Sequence, residues 1–231
     1  MKTITRLLAP VMLATAAVVA VPAAAQVQGP VAALDVTRTI LGSSALATAY
    51  TEINQTYSSQ NEQIRAKSEQ RQTILRAFDR NSDNQIDDAE LTAAQNSPQF
   101  RQAQTLEEEI NQLTNQVNAA RVFAIEQILE QMSPALQQVV NEKKIRLVLD
   151  PSAILFSPPE ADITQAVVTA LNTRLPRVSI TPTQGWQPSR QGVQMFQEVQ
   201  QLLVAANAMQ RQQQQQGQQQ PQGSADAPVG R

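Results

Sequence analysis

The sequence predicts an α+β fold, mainly α, in which a long helical hairpin is inserted into a small β-rich body. Three observations predict it. Residues 44–140 contain no glycine and carry two tracks of apolar side chains spaced three and four apart. An acidic turn at 79–90 separates the tracks. Short β-branched runs, Val31-Ala32-Ala33-Leu34-Asp35-Val36 and Ile145-Arg146-Leu147-Val148-Leu149, lie on either side of the whole helical stretch. A helical repeat of that kind marks a seam that packs on a partner helix, and short apolar runs bounded by turn residues mark strands.

The first track is Tyr50, Ile53, Tyr57, Ile64, Ile74 and Phe78, with polar gaps at Gln60, Lys67 and Arg71. The second is Leu106, Ile110, Leu113, Val117, Ala120 and Ala124. Gly42-Ser43-Ser44 ends a short helix at 37–41 and caps the next one, which is expected to run unbroken to Phe78, roughly 50 Å at 1.5 Å per residue. Ser97 and Pro98 suit the N-cap and first position of the returning helix, which continues to about residue 142. Ser133-Pro134 inside it is expected to kink it or to mark the junction between arm and body.

Beyond the arm, 145–150 reads as a strand, Ala153-Ile154-Leu155-Phe156 as a second one in a hairpin, and Asp162 as the cap of a helix ending before Pro176. Val178-Ser179-Ile180 suits an edge strand, and the single Trp186 suits packing on the body or on an edge between subunits rather than binding a ligand. The resulting organisation is 26–43 for the first strand of the body, 44–142 for the arm and 143–180 for the rest of the body. A C-terminal extension with an amphipathic helix follows over 181–209, and 210–231 is a Gln-rich tail expected to be disordered.

Lys2 and Arg6 precede an apolar run over 7–21, and Ala23-Ala24-Ala25 supplies small residues for cleavage. This pattern predicts a signal peptide over 1–25 with Gln26 as the mature start. Pro10 and Pro22 bracket a run too short to span a bilayer comfortably, so no stable membrane insertion is expected. With Lys2 and Arg6 removed, 16 basic side chains face 20 acidic ones, a balance that argues against nucleic acid as a partner. The chain has no cysteine, so no disulfide and no lipid at a cysteine is available. It is 42% hydrophobic but only 3% aromatic, and the core must be aliphatic.

No His and no Cys remove the usual general bases, thiol nucleophiles and zinc ligands, and seven glycines form no phosphate loop. The Ser pairs suit caps and helix surfaces, and Glu107-Glu108-Glu109 suits a solvated helix face. An enzyme is not expected.

The order of parts, with Arg146-Leu147-Val148-Leu149-Asp150-Pro151-Ser152-Ala153-Ile154 and Asp162-Ile163-Thr164 after the arm, resembles the Skp (OmpH-like) family of periplasmic chaperones over about residues 31–175. The resemblance implies a homotrimer whose intersubunit β-body carries helical arms, and a holdase that keeps unfolded outer-membrane proteins in a cavity without ATP. It implies no catalytic residue. Better-known members are strongly basic where this mature chain is mildly acidic, and no basic lipopolysaccharide site is carried over.

The turn at 79–90 also resembles an EF-hand calcium loop. Asp79, Asn81, Asp83, Asp87 and Glu90 place oxygens at positions 1, 3, 5, 9 and 12, Gln85 offers its carbonyl at position 7, and Ile86 is the apolar eighth residue. Asn84 stands where glycine is expected. The alternative is a solvated turn built from Asp and Asn, and five liganding residues in register make it the weaker reading. An envelope adaptor, a coiled coil responding to Ca2+ through this loop, is the alternative to the chaperone. It gives no reason for strands at both ends of the arm.

Overall fold

The computed structural model describes residues 29–81, 83 and 85–218. The expected signal peptide and the last part of the Gln-rich tail lie outside them, as do Ser82 and Asn84.

The architecture is α+β and mainly α. Strand β1 (Val31–Ala33) pairs in parallel with β2 (Leu147–Leu149), in the register Val31↔Leu147, Ala32↔Val148 and Ala33↔Leu149. A parallel pair needs a long connection, and the entire arm is that connection. Gly29 enters the pair at φ 145, and a Cβ there would lie 2.2 Å from Arg146 Cγ, so both conformation and closeness require glycine.

Helix α1 (Val36–Leu41) is capped by Asp35, whose carboxylate accepts from the Arg38 amide at 2.8 Å. Ser43, buried, caps α2 (Ser44–Thr56). Helix α3 (Ser58–Arg76) leads to the tip, α4 (Asp88–Ala94) follows it, and α5 (Pro98–Lys143) returns over 46 residues. Helices α6 (Thr164–Arg174) and α7 (Arg190–Gln218) complete the chain.

The main core is aliphatic, as the composition requires. Ile40 of α1, Ile125 and Ile128 of α5, Val167 and Leu171 of α6 and Val199 of α7 are fully buried in one cluster. Truncating any of these to Ala is worth about 2–5 kcal/mol, so this cluster holds the body together. A second, smaller cluster at the arm root joins Ile53 to Val117 and Ala120, with Tyr57, Ile64 and Ile180 packed against it.

Both apolar tracks face inward. Leu106, Val117, Ala120 and Ala124 are buried and Ile110 and Leu113 half-buried. On α3 no residue is fully buried, and the polar positions Gln60, Lys67 and Arg71 are half-buried on the same stripe as Ile64 and Ile74. Lys67 and Arg71 reach Glu109 and Glu107 across the seam at 2.7 and 2.5 Å.

Several expectations are corrected. The helix foreseen from 44 to 78 is broken at Tyr57, which leaves helical geometry at φ −102 and ψ 23. Thr56, Tyr57, Ser58 and Ser59 are weak helix formers, and their run is where propensity gives way. The second strand and hairpin at 153–156 do not form within one protomer. Pro151–Ala153 is a 3-10 turn, with the Asp150 carboxylate accepting from the Ser152 amide, and Ile154 is extended without a ladder partner. Helix α5 runs on through Pro134, which lies among body-packed residues rather than at the arm root. Residues 178–180 form no ladder. Helix α7 extends to Gln218, nine residues past the foreseen end at Met209, because Gln is a good helix former. Among the described residues no helix is long and apolar enough to cross a membrane.

Candidate functional site

Two regions are candidates, an exposed apolar surface on the body and the acidic loop at the arm tip. The first is the body sheet. It has two strands; the outer side of β1 is bridged at Ala33 to Asp162, while among the described residues the outer edge of β2 has no ladder partner, and isolated pairs of strands are marginal in water. Val31 and Leu147 are 43% and 39% exposed on it. Beyond β2, Leu155 and Phe156 stand at 106% and 88% exposure, two large apolar side chains held outward by the flanking 3-10 turns at Pro151–Ala153 and Pro159–Ala161. Exposed apolar residues clustered beside an open sheet edge mark an interaction surface.

The second region is the arm tip. Phe78 is buried against Phe100, their ring centroids 6.4 Å apart, and this contact closes the hairpin below the loop. Glu90, 8% exposed, is the loop's hub. One carboxylate oxygen accepts from the amides of Arg80 (2.7 Å) and Asn81 (3.2 Å), and the other from the Asp87 amide (3.3 Å). Asp87 returns the bond by accepting from the Glu90 amide at 2.8 Å, which completes a capping box at the start of α4. Asn81 accepts from the Asp83 amide and Asp83 from the Gln85 amide, two successive Asx turns.

The structure thus brings Asn81, Asp83 and Gln85 into one curl and Asp87 and Glu90 into another, with Glu90 bridging back to the residues that follow Asp79. Asn84, the departure from the calcium-loop pattern, lies outside the described residues. The donor set is all oxygen and suits a hard cation. In this arrangement, however, Glu90 turns its oxygens toward backbone amides, and among the described residues no three acidic groups converge as a metal site.

Sequence reasoning missed a third feature at the arm root. Trp186 sits edge-on to Phe123 of α5, with centroids 5.3 Å apart, and its indole N–H donates to Glu126 at 2.8 Å. The other Glu126 oxygen accepts from the Ser189 amide at 2.6 Å. Gly192 follows closely, where a Cβ would meet Glu126 Oε1 at 2.4 Å. The expectation that Trp186 packs on the body held the right kind of role but not the partner. Only the spacing of Trp186 from the Ser-Arg-Gln-Gly start of α7 hinted at it.

Residues 30–171 match the family model described as outer membrane protein (OmpH-like). The chain belongs to the OmpH-like family. A crystal structure of an OmpH-like protein from Caulobacter crescentus CB15, described as a candidate outer membrane chaperone, is 20% identical. It covers 70% of this chain and 91% of its own, with a TM-score of 0.42. No curated protein matches the sequence. The arm, β1, β2 and most of α6 of this OmpH-like protein fall inside the family match, while the Trp186 contact and α7 lie beyond it.

Proposed function

We propose that this OmpH-like protein is a periplasmic holdase chaperone that works without ATP, a homotrimer whose arms enclose unfolded outer-membrane proteins. Family membership supports the class. The observation that carries the reading is the open edge of β2 together with the outward Leu155 and Phe156 that follow it in the body. In a closed ring of three copies that edge and those side chains would be covered, and the arms would hang around one space. An arm whose exposed faces are polar with sparse apolar residues suits holding an unfolded chain by many weak contacts.

Two measurements test it together. Light scattering of the mature protein is expected to give roughly 70 kDa, three chains at about 110 Da per residue. The same sample is expected to suppress aggregation of an outer-membrane protein diluted from urea. A monomer that leaves aggregation unchanged would refute the reading.

We propose as a second reading that the tip loop takes Ca2+ through Asp79, Asn81, Asp83, the Gln85 carbonyl, Asp87 and Glu90. The register of these residues supports it. Binding requires Glu90 to exchange its amide bonds for the cation, so the affinity is expected in the weak extracellular range, about 10⁻⁴–10⁻³ M.

A further inference from the structure

The segment between α6 and α7, residues 176–189, lies across the arm root as a strap, without regular structure over 177–180 and with a turn at Thr183–Trp186. Val178, Ile180 and Pro182 are half-buried, while Arg177, Ser179, Thr181 and Thr183 are exposed, the period-two alternation of an extended chain with one face covered. Ile180 packs into the cluster of Ile53, Val117 and Ala120, against Tyr57. Trp186 rests on Phe123. Between these, Gln127 grips the strap's backbone: its Nε2 donates to the Ser179 carbonyl at 2.9 Å, and its Oε1 accepts from the Ser179 amide at 3.0 Å. Arg177 pairs with Glu52 at the strap's start.

The grip is independent of sequence, because a side-chain amide reads a peptide group and not a side chain. The apolar contacts need only one β-branched residue in a seam. The strap's own Val-Ser-Ile-Thr has the alternation of a transmembrane β-strand, apolar outward and polar inward. An outer-membrane protein before insertion is a chain of such segments. A groove that seats one of them in extended form, by backbone pairing and alternate apolar contacts, suits all of them.

We propose that the arm-root groove lined by Ile53, Tyr57, Val117, Ala120, Phe123 and Gln127 is a binding site for extended client segments of alternating polarity, and that the strap occupies it as an internal pseudo-client. The inference rests on the chaperone reading for the identity of its ligand. The strap shields the apolar cluster when the protein is empty and yields to client segments. Its occupancy taxes their apparent affinity by the fraction of time the groove is open.

Trp186, the only tryptophan, reports on the groove directly. The probe is a Trp-free dodecapeptide alternating Val or Ile with Ser or Thr, beside a peptide of the same composition with the alternation scrambled. With the full-length protein, saturating alternating peptide is expected to move Trp186 emission to longer wavelength, and the scrambled peptide to bind at least several-fold more weakly. Arg177→Glu with Ile180→Asp releases the strap and is expected to tighten peptide binding about 10–100-fold, for a groove open about 1–10% of the time in the parent. Adding Gln127→Ala to that variant is expected to remove most of the gain. Should the double variant fail to fold by circular dichroism, Arg177→Glu alone, at an exposed side chain, carries the same comparison.

Unchanged Trp186 emission at saturating peptide, or no tightening on strap release, overturns the proposal. Aggregation suppression measured in parallel separates the two claims. Suppression with a silent groove refutes the groove and leaves the chaperone standing. Peptide entering the groove without suppression does the reverse.

Discussion

Lys67 Nζ lies 2.7 Å from Glu109 Oε2 across the arm seam, at a position where a purely apolar helix pair would place an aliphatic side chain. One turn on, Arg71 meets Glu107 at 2.5 Å. The polar gaps in the first track are therefore paired gaps, with their aliphatic stems in the seam and their charges at its margin. Half-exposed pairs of this kind contribute about 0.3–1 kcal/mol. Lys67→Glu is expected to lower the melting temperature by a few degrees, and Glu109→Lys in the same chain to restore most of the loss. Thermal melts of the two single variants and the double variant check this.

The outward pair at the body gives a second prediction. If the proposed trimer forms, Leu155→Asp with Phe156→Asp is expected to abolish it in light scattering while leaving the helical circular dichroism unchanged. Both side chains are almost entirely exposed in the protomer, so their loss costs the single chain nothing in packing. An intact trimer would place the subunit contact elsewhere.

At the tip, Glu90→Ala removes the acceptor of three backbone amides. Arg80, Asn81 and Asp87 are exposed, so water takes up the freed amides and each lost bond costs about 0.5–1.5 kcal/mol. Hydrogen exchange is expected to rise at Arg80, Asn81 and Asp87 and to stay unchanged in the body.

The calcium reading has its own check. Titration calorimetry with CaCl2 is expected to show one weak site that Glu90→Gln eliminates. Identical melting curves in calcium and in chelator, with no heat of binding, would remove the cation from the account.

Acid sensitivity follows from two carboxylates of the body: Asp150, which caps the 3-10 turn at Pro151–Ala153, and Asp162, which the sequence casts as the cap of α6 but which stands one residue before Ile163, the residue at that position. The Ser152 hydroxyl and then its amide hold the Asp150 carboxyl below its ordinary range, and hydrogen bonds from Thr164 do the same for Asp162. A carboxyl whose folded value is lowered adds stability above its unfolded value, near 3.9, and loses it as the pH falls through the folded value. Stability is expected to be flat from pH 7 to about 5 with respect to these groups and to decline below about pH 4. Asp162→Asn is expected to flatten part of that decline in melts recorded against pH.

Much of the fold was legible because it depends on local rules. The two tracks, the Ser97-Pro98 restart and the Ser43 cap are each written in a few adjacent residues, and all appear as read. The errors lie where partners are distant. Residues 153–156 have strand composition, but one protomer offers their backbone no ladder. Val178-Ser179-Ile180 has strand composition too, yet it answers to a single glutamine 52 residues earlier, a contact no periodicity reveals. The tip was legible as a loop in which acidic and amide side chains turn inward. That Glu90 serves the backbone could not be read, because calcium loops and capping boxes ask for the same acid at the same place.

Helix α5 has a mechanical meaning beyond its packing. Its 46 residues make one rod of about 69 Å, from the loop at its start to the turn before β2 at its end. Pro134 lies within the stretch anchored in the core and gives that stretch no amide hydrogen, so one rung of the helix is missing where the rod is held. A rod gripped at one end and weakened there behaves as a lever with its fulcrum in the body. From Ile125, the core-anchored residue of the rod nearest the tip, to Pro98 the span is about 40 Å, and a bend of about 5° there carries the far end roughly 3–4 Å. Load taken up at the tip is thereby delivered to the aliphatic core that grips the rod's other end.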